Sequence, residues 1–332
     1  MKRIMKGHLL AFTLPLLLSG CLSQETKDNV QAFGEQSKTL TTIMQGTIQE
    51  IQTEKNEYLV LQSVLHPSAD YNGLIRVSGI NTTLTPDKIE AYNQALAFLK
   101  DYFDALSKIA SDDNLDTIQK NSQDLYASLN SINDSLSKLD SSYQSTDLNL
   151  GPFATIVNEG VKLGYEHKRT EYIQQITNQA SSILRKLLPI LKHSFSPCQG
   201  IESSKPFNPH LDTINQCGPW SGLYFQVLSP QISEYFQRSN NLSGSNAYDF
   251  EKAMTFSKRA QTDLLKLITL NEEMKKIQTS IDSLQSAHQA LVDSINQDSH
   301  INRTNAVDKL NHLYGAVSDA IGFYNSLKKE DN

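Results

Sequence analysis

Between Cys198 and Cys217 the chain reads CQGIESSKPFNPHLDTINQC, which gathers two thiols, the imidazole of His210 and the carboxylates of Glu202 and Asp212 within one short stretch. Such groups could ligate a divalent metal, or the two thiols could pair with each other. A zinc site needs four ligands, and only His210 and Asp212 lie near to complete one, without a C-x-x-C or H-x-x-x-H spacing. Elsewhere the chemistry is sparse: there is no H-E-x-x-H, no G-x-S-x-G and no Gly-rich phosphate loop. No glutamate has a histidine three residues later, the spacing that carboxylate-bridged di-metal bundles use. Glu166 and His167 are adjacent and so face different sides of a helix, while His288, His300 and His312 recur every twelve residues but His300 falls in an expected turn. The expectation is a non-catalytic protein with neither metal nor other cofactor.

The compartment decides how the thiols behave, and the first residues bear on it. In MKRIMKGHLLAFTLPLLLSGC, Lys2, Arg3 and Lys6 precede an apolar run over 9–18 that ends in small residues. That run is too short to span a bilayer as a helix, so residues 1–20 predict a cleavable secretory signal. Its end, Leu18-Ser19-Gly20-Cys21, resembles the lipobox of bacterial lipoproteins. The resemblance implies cleavage before Cys21, a diacylglycerol on the Cys21 thiol and a further acyl chain, such as palmitate, on its amine. Several chains at about 0.8 kcal/mol per buried CH₂ make such an anchor effectively permanent. Leu22 stands where inner-membrane lipoproteins typically carry Asp, which implies the outer membrane, facing the periplasm. This likeness covers the first 22 residues alone. It also implies an oxidising compartment for Cys198 and Cys217, where paired thiols are the rule, so a disulfide becomes the expected chemistry of the stretch. On a chain-entropy account, closing a loop of that size stabilises by roughly 3 kcal/mol. Pro206, Phe207, Pro209 and His210 then form the one stiffened, irregular surface in the chain, a candidate recognition loop.

The scaffold that must position these groups reads as helix. From 27 to 65, Phe33, Leu40, Met44, Ile48, Ile51, Tyr58, Leu61 and Leu65 recur on one helical face, and His66-Pro67 ends it. In YNGLIRVSGINTTLT, Asn72-Gly73 and Ser78-Gly79 bracket a short β-branched run that predicts an extended segment or one small hairpin. Thr85-Pro86-Asp87 opens a helix whose seam, from Ile89 through Tyr92, Leu96, Leu99 and Phe103 to Ala110, steps by threes and fours. A turn at 111–114 separates it from a helix with Leu125, Leu129, Ile132 and Leu136 on one face. A fourth helix is expected over 153–192, kinked or ended by Pro189. After the cysteine stretch, Trp220 reads as the plug of a small satellite core. The longest helix should run over 248–298, with Asn271 and His288 as polar residues in an apolar seam, and a last one over 305–329.

The 332 residues are 39% hydrophobic and 20% charged, within the globular range. The formal charge is −6. Loss of residues 1–20 removes three basic residues and leaves 27 Lys+Arg against 36 Asp+Glu, or −9. That balance argues against a nucleic-acid partner. The expected fold is all-α: an elongated bundle of five to seven long, antiparallel, coiled-coil-like helices with one disulfide-closed loop. Its parts are a signal over 1–20, a first helical half over 21–194, the disulfide loop and a short helix over 195–245, and a long helical hairpin over 246–332. The expected function is a lipid-anchored envelope protein that binds another envelope or secreted protein as adaptor, scaffold or inhibitor, alone or as an oligomer. In outline the chain also resembles the cytolysin A class of pore-forming toxins, which implies an apolar tongue, with 153–157 and 223–228 as its candidates.

Overall fold

The computed structural model describes residues 23–77, 80, 84–111, 115–140, 151, 154–155, 166–201, 217–242, 247–297 and 299–330. Among them every regular element is an α-helix: α1 (Gln24–Leu65), α2 (Tyr71–Val77), α3 (Pro86–Ser111), α4 (Leu115–Leu139), α5 (Glu166–Ser194), α6 (Pro219–Leu242), α7 (Ala247–Asn296) and α8 (His300–Glu330). The local signals explain the starts and stops. The Ser23 hydroxyl accepts from the Thr26 N–H at the head of α1, and the Thr85 hydroxyl from the Lys88 N–H at the head of α3. His66, ahead of Pro67, has left helical dihedrals (φ −130°, ψ 67°), and α1 ends there.

Polar pairs fix which helices lie together and in which sense. Lys266 meets Glu54 at 2.9 Å and Thr47 donates to Glu273, so α7 runs antiparallel to α1. Lys192 meets Asp282 and Asn178 meets Asn296, which sets α5 antiparallel to α7. Lys276 meets Asp319 across the turn between α7 and α8. Ser128 bonds Asp101 and Ser135 bonds Gln94, which lays α4 antiparallel to α3. By contrast α1 and α8 run in the same direction: Arg303 pairs with Glu25, and the Tyr324 hydroxyl lies over Gly46. One cluster of buried side chains joins these helices, with Phe33, Phe98, Tyr102, Phe103, Phe195 and Trp220 among its largest fully buried members.

Two expectations are corrected and one is narrowed. Residues 71–77 are helical, not extended: the Asp70 carboxylate accepts from the Gly73 N–H at 2.7 Å, and the Leu74 N–H bonds the Asp70 carbonyl at 2.8 Å. Asn72-Gly73 therefore sits in a capped first turn and not in a hairpin turn. Of the two outcomes expected at Pro189, an end is excluded, since the residue lies inside α5, which runs on to Ser194. The ring removes one helical donor, but Leu184, Leu187, Leu188 and Leu191 are buried on both sides of it, and packing outweighs the lost bond. The last helix begins at His300, because the Ser299 hydroxyl caps the Asn302 N–H at 3.2 Å.

Candidate functional site

Cys198 and Cys217 are joined by a disulfide, with their Cα atoms 4.2 Å apart. The bridge closes the segment between α5 and α6, and its base is built from conventional parts. Beyond α5, Gly200 adopts φ 83°, a left-handed turn that glycine takes without a Cβ clash. On the other side the Gly218 N–H bonds the Ser196 carbonyl at 2.9 Å, and a Cβ at 218 would stand 2.5 Å from the His193 carbonyl oxygen. Only glycine allows that approach. The Ser221 hydroxyl donates to the same Ser196 carbonyl.

The base is also fastened sideways onto α7. Asn271 accepts from the Cys198 N–H at 2.7 Å and donates to the Cys198 and Ile201 carbonyls at 3.1 and 3.0 Å. Gln278 donates to the Lys192 carbonyl at 3.0 Å and to the Ser196 hydroxyl at 2.7 Å. Together these bonds satisfy backbone groups that would otherwise be buried without partners where α5 ends. Trp220 fills the space below, fully buried and edge-on to Tyr92 with ring centroids 5.3 Å apart, and the Tyr92 hydroxyl bonds that of Ser194. The tryptophan is thus core at the start of α6 and presents no face to a ligand. Sequence reasoning noticed Asn271 as a polar break in an apolar seam but did not find its partners, which lie 70 and 73 positions earlier in the chain.

The other polar break in that seam behaves differently. His288 is buried against Phe33 and Tyr102, and its Nε2 shares a hydrogen bond of 2.9 Å with the Tyr102 hydroxyl. Burial, reinforced by the nearby Arg185 cation, pushes the imidazole down to about 4, and burial raises the Tyr102 phenol well above its usual value. At neutral pH this is a neutral pair suited to packing.

Cys21 and the signal residues 1–20 lie outside the described residues, as do Pro206, Phe207, Pro209 and His210 of the candidate recognition loop. The apolar stretch 223–228 is part of α6, where Leu223, Tyr224, Phe225, Val227 and Leu228 are buried. Most of 153–157 is outside the described residues. Among the described residues no group of three or more His, Cys, Asp or Glu side chains is placed to hold a metal, and no helix is long and apolar enough to cross a membrane. Exposed apolar side chains include Val60, Val64 and Tyr71 toward the far end of α1 and Phe250 and Met254 at the start of α7, while Ile301, at the start of α8, is exposed at the opposite end. Comparison with protein families, with curated proteins and with solved structures finds no match for this chain.

Proposed function

We propose that this is a lipid-anchored helical protein of the bacterial cell envelope that binds another envelope or secreted protein, as an adaptor, scaffold or inhibitor, and performs no catalysis. The anchor is Cys21, acylated on the outer membrane and facing the periplasm. The observation that carries the reading is the relation between that cysteine and α1. The helix starts at Gln24, capped by Ser23, so a rigid rod follows the anchor almost at once. Its 42 residues reach roughly 63 Å at about 1.5 Å per residue. The end remote from the anchor carries Val64, 73% exposed, and antiparallel α7 brings Phe250, 60% exposed, to the same end. Exposed apolar groups held away from the anchoring bilayer suit a protein partner. The base of the disulfide-closed loop is fastened to α7 through Asn271, and Phe207 and His210 within that loop are the second contact proposed. Tethering raises the local concentration, so modest direct affinity suffices.

The test combines anchor and partner. Palmitate labelling in cells should be lost in Cys21→Ala. A photo-crosslinking residue placed at Val64, Phe250 or Phe207 should capture a discrete adduct, while the same residue at Lys120, on the side of α4, should not. Loss of labelling with no adduct above the level at Lys120 would leave the anchor and remove the adaptor. Labelling unchanged in Cys21→Ala would remove the anchor.

A further inference from the structure

Helices α5 and α8 both pack against α7, and the space between them forms a groove of about 610 Å³. Its floor is one polar stripe of α7, with Asp282, Gln285, Gln289 and Asp293 following each other at helical spacing. Arg185 of α5 stands on one wall, and Asn305 and Lys309 of α8 stand on the other. The two carboxylates are engaged. Asp282 takes the Lys192 ammonium through both oxygens at 2.7 Å, and Asp293 accepts from the Gln289 amide at 2.9 Å. The two wall cations are not: Arg185 spends only its Nε–H, on the Ser181 carbonyl at 3.2 Å, and Lys309 meets no carboxylate among the described residues.

We infer that this groove binds an acidic saccharide, a single carboxylate carried on a polyhydroxylated ring. The volume lies within the range of about 300–1,000 Å³ typical of small-molecule sites. No Phe, Tyr or Trp side chain lines it, and Leu184, Leu188 and Ala290 supply an apolar part of the wall that the C–H face of a sugar ring can cover. Arg185 offers a planar fork that matches a carboxylate in bidentate fashion, and Lys309 adds a point charge from the opposite wall. With Asp282 neutralised by Lys192, Arg185 and Lys309 leave one positive charge in excess over Asp293. That single excess charge suits one carboxylate, and the uncompensated Asp293 disfavours a dianion such as a phosphate monoester. Sugar hydroxyls fit Asp282 and Asp293, because they donate to carboxylates, and they both donate to and accept from the amides of Gln285 and Asn305.

The probe is D-glucuronate, titrated calorimetrically into the whole chain, with D-glucose and glucose 6-phosphate as comparisons. Saturable binding is expected, weaker by about tenfold or more for both comparison sugars, and weaker by the same factor in the Arg185→Gln, Lys309→Gln double variant. Both positions stand on the groove walls, and a melting curve matching the parent confirms that the variant is folded; Arg185→Lys should recover part of the affinity. The His288 ring signal in NMR, sensitive to the Arg185 charge beside it, should move on saturation with glucuronate. Absence of saturable glucuronate binding overturns the inference. So does binding that survives the double variant, or equal affinity for glucose 6-phosphate.

Discussion

Asn271 holds the base of the disulfide-closed segment through one side chain. Its amide completes three hydrogen bonds to the backbone where α5 has ended and the disulfide begins. It is 3% exposed, so those backbone groups have no recourse to water if the amide is removed. Leaving buried polar groups unpaired costs about 1–3 kcal/mol each. Asn271→Leu, which keeps the volume and improves the apolar seam, should therefore destabilise by about 3 kcal/mol, read as a lowered urea midpoint with an unchanged slope. A neutral or stabilising result would mean that the loop base is held by the disulfide and Gly218 alone. The sequence showed that Asn271 interrupts a run of Leu, Met and Ile. It could not show why, because the residues it holds are 70 and 73 positions away and nothing local records a contact at that distance. Cys198 and Cys217 were easier, since the lipobox likeness implied an oxidising compartment and, with Cys21 set aside as the implied acylation site, one intrachain pair. His288 was legible as a polar seam residue, and only the Tyr102 hydroxyl on another helix explains how it is satisfied.

At the scale of elements, the contact between α1 and α7 carries buried carboxyls. Glu273 is fully buried, takes one bond from Thr47 and leaves its Oε2 without a partner; burial, with Glu50 adding to it, pushes the carboxyl up to about 7. Further along the same contact, burial and the neighbouring Glu54 push Asp263 up to about 6 against the pull of Lys266 and Arg259. For both groups the folded state holds the proton more tightly than the unfolded chain. Their contribution is fully present below the unfolded values and is lost as pH rises, from 4.5 through about 7 for Glu273 and from 3.8 through about 6 for Asp263. His288 acts in the opposite sense, since its depressed imidazole costs stability as pH falls from 6.5 through about 4. Glu273→Gln keeps the shape and removes the charge. It should leave stability near pH 5 little changed and raise it at pH 8 by on the order of 2–3 kcal/mol, measured as unfolding free energy against pH. An effect equal at both pH values would show that Glu273 is not titrating. The helices themselves were largely legible, because seams spaced by threes and fours over α1, α3 and α7 admit only one reading. The misreadings came where local rules compete. Asn72-Gly73 marks a hairpin turn or a capped first turn equally well, and Pro189 breaks a helix only if packing on both sides does not hold it.

For the molecule as a whole, α7 fixes a minimum length. Fifty residues in one helix extend roughly 75 Å at about 1.5 Å per residue. Neighbours on three sides share that axis: α1, α5 and α8 lie along α7 through pairs such as Glu54–Lys266, Lys192–Asp282 and Lys276–Asp319. Periodicity announced each of these helices but not who faces whom. An apolar stripe fits any other stripe of similar width, and the choice is made by details such as the Tyr324 hydroxyl over Gly46, which sets α8 alongside α1 in the same sense and not the opposite one. A compact domain of 332 residues would have a radius of gyration of about 20 Å. Helices that share one long axis cannot pack that tightly, so small-angle scattering from the whole chain should give a larger radius and a maximum dimension of at least about 75 Å. A radius near 20 Å would require α7 to be broken in solution. The same measurement bears on the proposed function, because under the proposed anchoring at Cys21 the adaptor reading needs a rod that holds Val64 and Phe250 away from the membrane.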